Sequence, residues 1–208
     1  MKKYIESYHM FFPDRIFSIL LYMVYPLVVW GLLFIESIFI DNGYSYIIVL
    51  TAPVIVFCIE CMADFFVFAG YAKKDNGRNE YLKTSVKYMH LLKRALISDI
   101  VRRIASTFLI MLPVSAVLKV PFNISIFALV SVNFFIIVAL CILRFFDFFT
   151  AYYFITSIIS ILYVIFCVLV FMNNIFTWAI IAMIVLSIFL ILFHTNILFK
   201  VMKEEYYD

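Results

Sequence analysis

The chain has 208 residues, of which 67% are hydrophobic and only 14% charged, and 25 are Phe. That composition excludes a water-soluble domain of this length and fits an integral membrane protein. The formal net charge of +3 follows from where the bases fall along the chain and gives no ground for a nucleic-acid partner.

Residues 1–15 are expected to form an amphipathic segment in which Ile5, Tyr8 and Phe12 share one helical face before the chain turns at Pro13. The pattern suits a helix lying in the membrane interface, or a Tyr- and Phe-rich anchor for the first span. Apolar runs follow at 16–39, 45–71, 104–118, 122–143, 149–171 and 175–199. About 20 helical residues cross a hydrocarbon core of about 30 Å. The runs are apolar all round, without the alternation of barrel strands, so the expected fold class is all-α: one domain over 1–208 with six transmembrane helices. The third run is short and closed by Leu118, Lys119, Val120 and Pro121. Its start can lie inside the polar segment before it, and spans three and four can also be read together as a re-entrant pair. Pro26, Pro53 and Pro113 are expected to kink their spans. The outer connections are Asp41 to Gly43, Lys119 to Pro121 and Met172 to Asn174, so almost no external domain is expected.

With these spans, 15 of the 16 Lys and Arg residues fall on one side, Lys119 being the exception, and nine of them lie between spans two and three. The positive-inside rule then places both termini and the large loop in the cytoplasm. A basic rim beside anionic membrane lipid is the plain reading of these charges.

The loop over 72–103 differs in kind. Turn residues occupy Lys73 to Asn79, and Asn79 is placed to cap a helix starting at Glu80. From there Leu82, Val86 and Met89, then Leu92, Leu96 and Ile100, recur on one face with bases elsewhere around the turns. An amphipathic helix, bent near His90, is predicted, and its apolar face calls for lipid or another protein's groove.

Glu60 and Asp64 are spaced four residues apart on span two, hence on one face. Charge in lipid is expensive, so both should meet protein or water. They are the candidates for a translocation path, and an ion pair with Arg15, Arg102 or Arg144 is the competing reading. Asp64, near the cytoplasmic end, favours the pair. Glu60, deeper and farther from the cytoplasmic bases, favours the path. Arg144 and Asp147, one turn apart, are expected to pair locally, and His194, Thr195 and Asn196 read as helix-to-helix hydrogen bonding. Cys58, Cys61, Cys141 and Cys167 all lie in apolar runs and read as small buried hydrophobes, with no disulfide or metal role. The zincin, hydrolase-elbow and Walker A motifs are missing, and four glycines are few for a phosphate cradle. No catalytic residue, metal or cofactor is assigned.

The order of an acidic residue late in span two, Gly70, a basic turn, then Glu80-Tyr81-Leu82-Lys83-Thr84-Ser85-Val86 and on to Leu91-Leu92-Lys93-Arg94-Ala95-Leu96 resembles the permease subunits of ABC-2-type exporters. The chain looks closest to the small members that export amphipathic peptide toxins such as the phenol-soluble modulins. The resemblance implies that 1–15 is an elbow helix and that Glu80, Tyr81, Leu82, Lys83, Ser85, Val86, Lys87 and Met89 belong to a coupling helix docking on an ABC ATPase subunit. That separate subunit would bind ATP and Mg. The resemblance also implies a second permease copy, an amphipathic peptide substrate and a bacterial plasma membrane. A departure from the family is the turn at Met172 to Asn174, too short for the re-entrant hairpins that many members carry there. Other classes of the same size are a vitamin-binding subunit of an energy-coupling-factor importer, which would need longer outer loops, and an intramembrane peptidase, which would need a Cys and a His together in space.

Topology can be tested directly. Cysteines introduced at Asn42, Lys119 and Asn173 in a cysteine-free background should react with an impermeant external thiol reagent in intact cells, and one at Asn76 should not. Labelling at position 76 would overturn the orientation.

Overall fold

A computed structural model describes residues 2–11, 23–39, 45–72, 88–117, 120–144 and 149–207. These form seven helices: α1 (Lys2–Phe11), α2 (Tyr25–Phe39), α3 (Ser45–Ala72), α4 (Tyr88–Val117), α5 (Phe122–Leu143), α6 (Phe149–Asn173) and α7 (Phe176–Tyr207). The all-α class is as expected. Three of the helices, α5, α6 and α7 as far as Ile197, are long and apolar enough to cross a membrane. Their starts and ends fall within a few residues of the apolar runs, except that α7 continues past the last run to Tyr207.

The largest departure concerns α4. Residues 88–103 of the polar segment and the third apolar run as far as Val117 are a single helix of 30 residues, about 45 Å long at about 1.5 Å per residue. The third run therefore does begin inside the preceding segment. Helix continuity is a backbone property, and from Tyr88 to Leu112 there is no Gly or Pro to break it. Pro113 is accommodated inside α4 and Pro53 inside α3. At Pro26, residues 23–24 wind as π-helix, a local adjustment that suits the missing proline N–H.

The face of α4 formed by Leu92, Ala95, Leu96 and Ile100 is buried within the chain. The sequence pattern called for lipid or a foreign groove here. The chain's own N-terminal helix, α1, packs against α4. Ser98 donates to the Tyr4 carbonyl at 3.0 Å, and the Arg94 guanidinium stands 5.9 Å from the centre of the Tyr4 ring, a cation–π arrangement.

Helix α5 is the middle of the bundle, in contact with α3, α4, α6 and α7. Lipid is as apolar as a leucine side chain, so helix association inside a membrane relies on close packing and polar bonds rather than on hydrophobicity. Both are present. Asn133 of α5 donates to the Thr107 hydroxyl of α4 at 2.9 Å, and Ser131 meets the Tyr163 hydroxyl of α6 at 3.1 Å. Around Phe127, the rings of Phe166, Phe171 and Phe176 stack or meet edge to face, with centroids 5.4 to 6.2 Å from its own. On α6 the buried residues Tyr152, Thr156, Ile159, Tyr163, Cys167 and Val170 form one stripe, and the other faces expose Phe154, Ile158, Ile161, Leu162, Ile165 and Leu169.

The α6–α7 turn has a defined cause. Asn174 has φ of 52°, its N–H reaches the Phe171 carbonyl at 3.3 Å, and the Ile175 N–H reaches that of Val170 at 3.4 Å. This is a Schellman C-cap, which needs a left-handed residue at that position. Asn174→Gly should leave thermal stability unchanged or slightly higher. Asn174→Val should lower it by about 1–2 kcal/mol, the cost of a β-branched residue in that conformation. Equal melting of the two variants in detergent would contradict this account of the turn.

Candidate functional site

Three carboxylates and three guanidinium groups meet in the interior, each residue less than a tenth exposed: Glu60 and Asp64 from α3, Asp99, Arg102 and Arg103 from α4, and Arg144 at the C-cap of α5. The spacing of Glu60 and Asp64 turns both toward α4, and Asp99, Arg102 and Arg103, at i, i+3 and i+4, turn one face of α4 back toward them. The formal charges balance.

Arg102 grips Glu60 with two nitrogens, at 3.3 Å to Oε1 and 2.9 Å to Oε2, and reaches Asp99 at 3.4 Å. Arg103 is the centre. Its Nε donates to Asp99 at 2.9 Å, its Nη1 to the Glu60 carboxylate at 3.0 Å and carbonyl at 2.7 Å, and its Nη2 to Asp64 at 2.7 Å. Arg144 closes the cluster with bonds to Asp64 at 2.9 and 3.3 Å and to Asp99 at 2.7 Å. Asp99 precedes the apolar half of α4. Burial pushes its carboxyl up, but Arg103, Arg102 and Arg144 together outweigh burial and hold it well below the usual aspartate range.

From the remaining helices, Tyr8 of α1, Tyr25 of α2, Tyr152 of α6 and His194 of α7 are buried as well.

Glu60 and Asp64, expected on a translocation path or in ion pairs, are both ion-paired, Glu60 with Arg102 and Asp64 with Arg144, two of the anticipated bases. For Glu60 the inference from distance is corrected: α4 runs on as a helix and carries Arg102 and Arg103 to its depth. Arg144, expected to pair with Asp147, reaches Asp64 and Asp99; Asp147 and Arg15 lie outside the described residues. So do Glu80, Tyr81, Leu82, Lys83, Ser85, Val86 and Lys87. Met89 of the expected coupling set lies on α4. Asp99 and Arg103 were not singled out from sequence, although Asp99-x-x-Arg102-Arg103 carries the helical spacing of an ion-pair face. Thr195 bonds back to the Ile191 carbonyl at 2.8 Å. The four cysteines are free thiols. Among the described residues no group of His, Cys, Asp and Glu is placed to hold a metal ion.

The geometry defines an all-helical protein with helices able to cross a membrane and a self-neutralising ionic centre. Compared with family models, with curated proteins and with solved structures, the chain matches none.

Breaking a buried pair from one side leaves an uncompensated charge, at a cost of about 3–5 kcal/mol. Glu60→Gln should lower the melting temperature markedly, and Arg102→Gln added to it should restore part of the loss. A native melting temperature for Glu60→Gln alone would refute the pairing. The Asp99 contribution should be fully present above the ordinary aspartate pKa of about 3.9 and be lost as the pH falls through the depressed folded value. Acid melting curves of Asp99→Asn should therefore be flatter than those of the native chain.

Proposed function

We propose that the chain is a non-catalytic permease subunit, with six membrane spans and both termini in the cytoplasm, of an ATP-driven exporter in a bacterial plasma membrane. Its partners are an ABC ATPase, which binds ATP and Mg, and a second permease copy, and its cargo is a hydrophobic or amphipathic peptide. The observation that supports this reading best is the construction of α4. It leads from the end of the basic loop into the bundle without a break, α1 braces its first half, and its three charged residues fasten it to α3 and α5. A push on the loop before Tyr88 would not be absorbed by a hinge between Tyr88 and Leu112. It would be passed as a rigid-body displacement to the spans clamped on the cluster, which is the mechanical requirement of alternating access driven from the cytoplasm. The basic loop is the side on which an ATPase would be met, and the resemblance of 80–96 to a coupling helix agrees with that placement.

On this reading Leu82 and Val86 form the docking face. Replacing both with Asp should abolish co-purification of the ATPase, or at least the transport-linked ATP turnover, while the chain still inserts. Unchanged association and turnover in the double variant would remove the coupling role.

A further inference from the structure

We infer that the Glu60–Asp64–Asp99–Arg102–Arg103–Arg144 cluster is a latch that holds one end of the helix bundle shut, with Arg144 as its moving part. The cluster lies where α5 ends and about midway along α3 and α4, on the side of the bundle from which α5 leads toward α6. The opposite end is closed differently, by the rings around Phe127 and the Asn174 turn. One end is fastened by charge and the other by apolar contact, so a force that separates one need not disturb the other.

Arg144 is singled out by position. Arg102 and Arg103 sit inside a 30-residue helix and cannot leave without displacing it. Arg144 is the cap residue after Leu143, at a helix end where local rearrangement is cheapest. Among the described residues it joins α5 to the cluster, bridging Asp64 and Asp99 from sequence distances of 80 and 45 residues. Its departure leaves three carboxylates facing two guanidinium groups. With its bonds to Asp64 and Asp99 gone, α5 is no longer fastened by charge to α3 and α4, and the cluster opens to water. The closed state is also incompletely bonded: the Tyr25 hydroxyl and Arg102 Nε are buried without a hydrogen-bond partner among the described residues. Such unsatisfied groups narrow the free-energy gap between the closed and open arrangements.

This inference rests on the permease reading in that such a protein has to open one end. Opening can nevertheless be read with no ATPase or substrate present, so its failure would leave the proposed partnership standing. The chain supplies its own reporters. Cys61, between Glu60 and Asp64 on α3, is fully buried, and Cys167 on α6 is 1% exposed. Cys167 lies about 22 Å along the helix axis from Tyr152, at about 1.5 Å per residue.

Two proteins, each retaining one of these cysteines and Ser or Ala at the other three positions, are reconstituted in lipid nanodiscs and treated with a maleimide. Each is compared with its Arg144→Gln/Asp99→Asn counterpart, in which Glu60 and Asp64 still balance Arg102 and Arg103. The latch predicts labelling of Cys61 faster by about tenfold or more, a shift of about 1.4 kcal/mol or more in the opening equilibrium, with Cys167 and the helix content unchanged. An unchanged Cys61 rate in the folded pair variant, or equal acceleration at both cysteines, would overturn the latch and leave a purely structural cluster. Should the pair variant not fold, Arg144→Lys retains the charge and loses the fork. An intermediate Cys61 rate is then expected, and a native rate would again overturn the proposal.

Discussion

A charge removed from water has to find its opposite, and this constraint organises the whole molecule. Three carboxylates stand inside a chain whose surroundings are overwhelmingly apolar, and each is neutralised by arginines from other helices or from its own next turn. Removing a guanidinium from water is as costly as removing a carboxylate, so the cluster contributes little net stability compared with a well-packed apolar core of the same volume. What it contributes is definition. Helices coated with Ile, Leu, Val and Phe can slide and rotate against one another with little penalty, whereas bidentate arginine contacts tolerate only one register. The relative placement of α3, α4 and α5 is fixed by that geometry.

The polar and apolar contacts divide the work along the bundle axis. Away from the cluster, association rests on small interlocking bonds such as Thr107 with Asn133 and Ser131 with Tyr163, and on ring packing around Phe127. These contacts are selective in shape and weak in energy. Large exposed side chains such as Trp178, Phe189 and Leu192 on α7 then face whatever surrounds the bundle, which for a helix of this length and composition suits lipid acyl chains.

Much of the helical layout was legible because punctuation marks it. Pro121 and Arg144 bound the run that becomes α5, and Asn173-Asn174 bound α6. The inward faces were not legible, since a helix apolar on every side gives no periodic signal, and the stripe from Tyr152 to Val170 is visible only once packed. The division of α4 into a cytoplasmic loop and a span followed from hydropathy, which reports the surroundings of a helix rather than its continuity; the absence of Gly and Pro from Tyr88 to Leu112 was the better guide. For the site, the spacing of Glu60 and Asp64 revealed an acidic face in need of partners. Which bases would answer could not be read, because Arg103 and Arg144 lie 39 and 80 residues beyond Asp64, and no local pattern encodes contacts of that range.

Those separations also bear on how the chain is made. At a synthesis rate of about 5–20 residues per second, the 39 residues from Asp64 to Arg103 and the 80 to Arg144 take about 2–8 s and about 4–16 s. For that interval the α3 acids have been synthesised and the groups that neutralise them have not. The order of residues along the chain thus sets an order of events, in which the acids of α3 have all their arginine partners only after Arg144 at the end of α5 has been made.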